Sequence, residues 1–466
     1  MLGAIDPDAL RALRRDHAGP VLTPADAGYD EARTLFNAMI DGRPAAIAQC
    51  RDVADVQRAI AFGRAHGLEL AVRGGGHSVA GQSTVDDGLV IDVRGFREIR
   101  VDPAARTVRC GAGCTWGELD RATQRHGLAT TGGRVSTTGV AGFTLGGGSG
   151  WLERRLGLAC DHLRAVELVT ADGTAVRASA TERPDLFWAL HGGGGNFGVA
   201  TALELELAGL GPTVLAGVML WPGDRGRALT ALMRDVMAEA PDDLATAVIY
   251  LTGPPEPSVP PALQGARAVA LAFLWGGAPD GGAPYAERFR ALRPAVDLVA
   301  PMPYVEFQSM IDDPPGLRNW WTADYLDALP DAAIDAFAAH SDRMPVPSAC
   351  QSIVFPWGGA VARATAADTP MARRDAAWVS HPFALWERAA DDDAHIGWAR
   401  AISAALAPFA NGGTYLNFIG DEGPDRVRAA FGAGYDRLAA VKRAYDPDNV
   451  FHRNQNIRPA PAAAAR

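Results

Sequence analysis

The stretch Arg73-Gly74-Gly75-Gly76-His77-Ser78-Val79-Ala80-Gly81 decides how the rest of the chain is read. It follows Leu68-Glu69-Leu70-Ala71-Val72, an alternating apolar run that predicts a strand. Consecutive glycines after a strand remove every Cβ, so the backbone can take positive φ and turn its amides toward an anion such as a pyrophosphate. Arg73 adds a positive charge at the same place. His77 stands at the lip of the turn, where an imidazole nitrogen can be a ligand, a base or a nucleophile. An ordinary turn with a solvent-facing histidine is the alternative, and the motif alone does not choose.

The neighbouring segments extend this reading. Residues 45–50 predict a strand and residues 52–67 a helix ending at a glycine, so the chain opens as strand, helix, strand, glycine loop. Residues 89–93 predict a strand, and 99–102 with 107–110 a hairpin. Gly111-Ala112-Gly113-Cys114-Thr115-Trp116-Gly117 is one residue away from the dinucleotide fingerprint, but no acidic residue on a following strand supports a βαβ unit. It reads as a turn into a helix over 118–125. A second glycine-rich run, Thr137 to Gly150, is too rich in glycine for a helix core and too apolar for a linker, so its backbone is expected to lie against a bound ring or phosphate or to cross another chain segment closely. A third run is Gly192-Gly193-Gly194-Gly195-Asn196-Phe197-Gly198. Of the 52 glycines, 32 precede Leu210, which points to a large, extended cofactor bound by that half of the chain. No run contains G-K-[ST], so a P-loop is not indicated.

Composition narrows the function classes. At 466 residues the chain exceeds one ordinary core. With 44 basic and 54 acidic residues its net charge is −10, which argues against a nucleic-acid partner. No apolar run spans a bilayer, and residues 1–6 lack the pattern of a secretory leader, so a cytoplasmic protein without membrane contact is expected. The five cysteines are odd in number and scattered, which predicts buried thiols rather than disulfides or a metal site. Lys442 is the only lysine, so Schiff-base chemistry with a pyridoxal cofactor is not expected.

From about Gly211 the character changes to short strands, helices over 223–239 and 331–342, and a proline-rich loop over 252–261. The aromatic residues Trp320, Trp321, Tyr325, Phe355 and Trp357 either line a pocket there or fill its core. Near the end, residues 413–418 predict a strand with Tyr415 and Asn417 on one face, followed by a helix over 425–444.

Taken together and in this order, Arg73 to Gly81, Thr138 to Gly150 with Trp151-Leu152 and Gly157-Leu158-Ala159, Phe187-Trp188-Ala189-Leu190 through Gly198, Tyr415-Leu416-Asn417, and Lys442-Arg443-Ala444-Tyr445-Asp446-Pro447 through Ile457 resemble the berberine bridge enzyme-like flavoprotein oxidases. These lie within the wider vanillyl-alcohol oxidase family. The resemblance implies an α+β fold: an FAD-binding domain of two subdomains, split in sequence into 1–210 and 413–466, around a substrate domain at 211–412 with an antiparallel sheet covered by helices. It implies FAD held by Arg73, Gly74, Gly75, Gly76, His77, Ser78, Gly81, Gln82, Thr137, Thr138, Gly139, Gly142, Gly147, Gly148, Gly150, Val199 and Asn454, with no metal.

His77 becomes the covalent attachment residue, through the flavin 8α-methyl. Many members carry a second link from a cysteine where this chain has Val135, so attachment through His77 alone is expected, as in singly linked bacterial members of the 6-hydroxynicotine oxidase type. Thr138 occupies the place of a small residue that governs dioxygen access. Tyr415 is the expected proton acceptor and Asn417 its orienting partner. The expected function is oxidation of an alcohol, sugar or amine group of a small molecule, in secondary metabolism, with dioxygen as acceptor. A dehydrogenase using another acceptor, or a flavin-carrying binding protein without turnover, are the alternatives.

Overall fold

Asp52 caps the first long helix, its carboxylate accepting the Asp55 amide at 2.8 Å, and the helix Val53–Ala65 runs until Gly67, at φ +62°, turns the chain back. This helix connects two parallel strands of one sheet that flank a third. Ala46–Gln49 and Leu70–Arg73 both pair in parallel with Leu89–Asp92, and Val21–Leu22 adds an antiparallel edge. The loop that begins at Gly74 therefore leaves the carboxyl end of a parallel strand, where backbone amides face outward. The computed structural model describes residues 5–462, so residues 1–4 of the N-terminal reading lie outside it.

A second sheet is antiparallel throughout. The hairpin Ile99–Asp102 with Thr107–Gly111 forms as expected, and Val199–Glu206 sits centrally between Thr107–Gly111 and Leu163–Val169. All five cysteines are free and buried, and burial raises each thiol above its ordinary pKa.

The third sheet is the largest, with nine strands, all in antiparallel pairs. Its long strands are Thr213–Pro222, Leu244–Thr252, Arg267–Trp275, Gln351–Pro356 and Trp378–Trp386. Side chains alternate between two buried faces. Leu244, Val248 and Tyr250 pack with Leu229, Met233, Ile334, Phe337 and Ile402 of the covering helices. Ala245, Ala247 and Ile249 face the other way, into the core shared with the glycine-rich half. Among the described residues no helix is long and apolar enough to cross a membrane.

Three local expectations differ from the structure. The glycine-rich run contains a short helix, Val140–Leu145, in which Gly142 is the one glycine between Gly139 and Gly146. Residues 413–418 do not form a strand: with no neighbour to pair, Leu416–Phe418 makes a single 3-10 turn, closed by the Phe418 amide on the Tyr415 carbonyl at 2.9 Å. The helix expected over 425–444 is two helices, Pro424–Phe431 and Tyr435–Tyr445, broken where Gly432 takes φ +49°.

The chain after Gly413 returns to the first half, held by one buried pair. The Lys442 ammonium donates to the Asp446 carboxylate at 2.6 Å, to the Asn196 carbonyl at 2.7 Å and to the Phe451 carbonyl at 2.8 Å, and both charged side chains are fully buried. Asn196 in turn accepts the Ile457 amide at 2.9 Å. Removing one partner of such a pair strands the other charge. Lys442→Met is expected to lose about 3–5 kcal/mol and so to lower the thermal midpoint markedly, read by scanning calorimetry.

Candidate cofactor and substrate site

A cavity of about 330 Å³ lies where the glycine loops, the inner face of the large sheet and the C-terminal segment meet. Of the residues expected to bind a cofactor, Gly74, Gly75, Gly76, His77, Ser78, Gln82, Thr138, Gly139, Gly142 and Asn454 line it, as does Asn417. Arg73, Gly81, Gly147, Gly148, Gly150, Val199 and Tyr415 are buried behind its wall, and Thr137, which does not line it either, is exposed.

The residues behind the wall have visible work. The Arg73 guanidinium turns away from the cavity to the carbonyls of Ala32 and Thr34, and so ties down the segment before Leu35 rather than presenting charge to a ligand. A Cβ on Gly150 would lie 1.8 Å from the Gly132 carbonyl oxygen, so this glycine serves a close chain crossing. Gly142 and Gly195 differ, since a Cβ on either would meet no protein atom within 4 Å and both border the cavity.

His77 is held from two sides. Its ring stacks on Phe36, with centroids 4.1 Å apart, and its Nε2 lies 3.0 Å from the Thr137 hydroxyl. Burial pushes its pKa down to about 4, so the imidazole is neutral at neutral pH and keeps a nucleophilic lone pair. Val135 lines the cavity, and among the described residues no cysteine does.

Tyr415 is fully buried beneath the second glycine run. Its hydroxyl oxygen accepts the amides of Gly148 at 2.5 Å and Ser149 at 2.9 Å, and the Asn417 side-chain amide at 2.9 Å. Burial nonetheless raises its pKa above the ordinary phenol value, the direction opposite to that required of a base. The same Asn417 amide donates to the Phe143 carbonyl at 3.0 Å.

The large sheet contributes groups that the reading of the sequence passed over. His381 lies on the inner face of Trp378–Trp386, stacked on Phe418 at 4.1 Å and edge-on to Trp321. Its Nδ1 lies 2.9 Å from the Thr322 carbonyl, and a carbonyl only accepts, so Nδ1 carries the proton and Nε2 the lone pair. Burial lowers its pKa to about 4, with a further push from Arg134. Arg134 itself is tied to Glu153 at 2.7 Å and Ser149 at 3.0 Å and lies over the rings of Phe355 and Trp151. The signal for His381 was present in Trp378-Val379-Ser380-His381-Pro382-Phe383, where a histidine interrupts an otherwise apolar strand.

These features fit an FAD. Glycines open to the cavity supply a backbone cradle, a neutral histidine stands at one end, and the buried Asn454 Oδ1 and Trp151 Nε1 have no partner in the described protein.

Comparison with known proteins agrees. Residues 44–179 match the FAD binding domain family, and residues 414–458 match the family described as berberine and berberine like. Over 462 residues the chain is 33% identical to (R)-6-hydroxynicotine oxidase of Paenarthrobacter nicotinovorans, covering 95% of this chain and 97% of that protein. It is 28% identical to an FAD-linked oxidoreductase of Dictyostelium discoideum, covering 91% of each. The crystal structure of 6-hydroxy-D-nicotine oxidase from Arthrobacter nicotinovorans superposes with a TM-score of 0.86 at 30% identity, covering 95% of this chain and 98% of that one. Physcomitrella patens BBE-like 1 shares the fold, with a TM-score of 0.85 at 22% identity, covering 98% of this chain and 100% of that one.

Tyr415→Phe removes the acceptor of two buried amides. It is expected to lose roughly 1–3 kcal/mol for each amide left unpaired, and hydrogen exchange followed by mass spectrometry should show the Gly148 and Ser149 amides losing protection.

Proposed function

The chain belongs to the berberine bridge enzyme-like family of FAD-linked oxidoreductases, and on that premise we propose that it is an oxidase of an alcohol, sugar or amine carbon in a small molecule. When bound, FAD would supply a hydride acceptor for the substrate carbon and a route for the two electrons to dioxygen, giving hydrogen peroxide. The observation that carries this reading is one continuous cavity joining the His77 loop to the aromatic inner face that holds His381.

His77 is the covalent tether, and the only one, because no cysteine of the described chain reaches the cavity. Thr137 occupies its Nε2, which leaves Nδ1 as the nitrogen that bonds to the cofactor.

His381 is the proton acceptor. The Thr322 carbonyl locks its tautomer, the Phe418 ring fixes its plane, and burial keeps Nε2 neutral and ready to take a proton from the substrate hydroxyl or amine. This role passes to His381 from Tyr415, whose oxygen is occupied as an acceptor behind the wall. Tyr415 and Asn417 are positioning residues that hold the second glycine run in place.

Purified protein is expected to give a yellow acid-precipitated pellet heavier by one FAD, and His77→Ala a colourless pellet with released flavin. A reducing substrate is expected to bleach the flavin without oxygen and to yield hydrogen peroxide with it; bleaching without peroxide points to another acceptor.

His381→Asn should slow flavin reduction at saturating substrate by about 10²–10⁴-fold, whereas Tyr415→Phe leaves that rate within a few-fold. The pH profile checks the same assignment. The active form is neutral imidazole, so a pKa lowered to about 4 keeps the rate level well below neutrality, and the rate falls only as pH drops through that value. An ordinary histidine would already lose rate below about pH 6.5.

A further inference from the structure

Asp313 is the only carboxylate on the cavity wall among the described residues, and the proton transfer assigned to His381 does not use it. It lies in the turn that follows the helix Tyr304–Ser309. The preceding residue anchors that turn: the Asp312 carboxylate accepts the Ser136 amide at 2.6 Å and the Ser136 hydroxyl at 2.5 Å. With Asp312 committed to the loop that carries Arg134 and Val135, the next side chain is turned toward the cavity.

Among the described residues the one hydrogen bond to the Asp313 carboxylate comes from the Gln351 side-chain amide, at 3.2 Å, and no cationic side chain pairs with it. Burial and the neighbouring Asp312 charge push its pKa up to about 7, and the Gln351 hydrogen bond is the sole opposing influence. An anionic oxygen in a cavity that Ile311, Trp321 and Ile353 also line is costly without a positive partner. Of the two cationic side chains that line the cavity, Arg134 is paired with Glu153 and Arg453 with Glu69, so each already has an anionic partner.

The sheet register sets the spacing to the proton acceptor. Gln351 pairs with Phe383, and His381 lies two residues along the same strand, on the same face. Gln351 and His381, as diagonal neighbours, are separated by about 7–8 Å, and Asp313 lies at the end of the Gln351 side chain.

We propose that Asp313, backed by Gln351, is the docking point for a protonated nitrogen of the substrate, so that this cavity takes small apolar cations in preference to neutral sugars or carboxylates. The proposal deepens the oxidase reading of the same cavity and rests on it. The apolar body lies among Trp321, Ile353 and Phe383, the charged nitrogen pairs with Asp313, and a carbon several bonds away faces His381.

The test is titration of the FAD-loaded protein with benzylamine and with its neutral analogue benzyl alcohol, read as perturbation of the flavin absorption. Benzylamine is expected to bind about tenfold or more tightly than benzyl alcohol, as one charge-assisted contact allows. Asp313→Asn is expected to abolish that preference, leaving the affinity for benzyl alcohol, the resting flavin spectrum and the thermal midpoint unchanged. Equal affinities in the unaltered protein, no perturbation by millimolar benzylamine, or a preference that survives in Asp313→Asn overturns the proposal. Anaerobic bleaching is scored separately: selective amine binding without reduction by any amine counts against the oxidase reading and leaves the docking site standing.

Discussion

Two glycine loops touch backbone to backbone at the centre of this molecule. A Cβ on Gly75 would lie 2.3 Å from the Gly139 nitrogen, and one on Gly139 would lie 2.4 Å from the Gly75 nitrogen. Real side chains do not tolerate such distances, so this crossing exists only because both positions lack one. The crossing places Thr137 against His77, 60 residues away in sequence, and so sets which imidazole nitrogen is occupied. It also fixes the floor of the cavity, since Val135, Thr138 and Gly142 follow the same path.

The roof comes from a sheet whose two faces are both buried. One face meets the helices and is filled with large aliphatic and aromatic side chains. The other carries smaller groups at the start, Ala245 and Ala247, and then Ile353, Phe355, His381 and Phe383 toward the far strands. Small residues in the middle of a long strand leave space, and aromatic residues further along bound it. The two histidines come from different parts of the chain, since His77 belongs to a loop of the first half and His381 to a strand of the second.

Charge is used sparingly and each buried charge has a defined partner or a defined lack of one. Lys442 and Asp446 neutralise one another and clamp Asn196 to Phe451, which ties the third glycine run to the C-terminal segment. Arg134 and Glu153 do the same beside the second run. Asp313 on the cavity wall has an amide for company and, among the described residues, no cation, as Asp120 has Gln308 in the core.

The sequence alone was sufficient for the glycine loops, His77 and the absence of a cysteine at Val135, because these depend on local rules: a strand followed by residues without Cβ, and a residue type at a fixed place in a motif. The buried thiols and the hairpin at Ile99–Asp102 were legible for the same reason. What only the tertiary structure decided were roles set by partners distant in the chain. The Tyr415 hydroxyl oxygen accepts amides 266 and 267 residues away, a set of partners that the strand expected over 413–418 did not contain. Arg73 is drawn to carbonyls about 40 residues upstream, away from the cavity. His381 keeps its lone pair on Nε2 because Thr322, on another segment, accepts its Nδ1 proton, and Asp313 meets Gln351 across 38 residues. Hydrogen-bond partners and burial set the protonation of a side chain, and both are created by the packing of segments whose separation in sequence carries no trace of it.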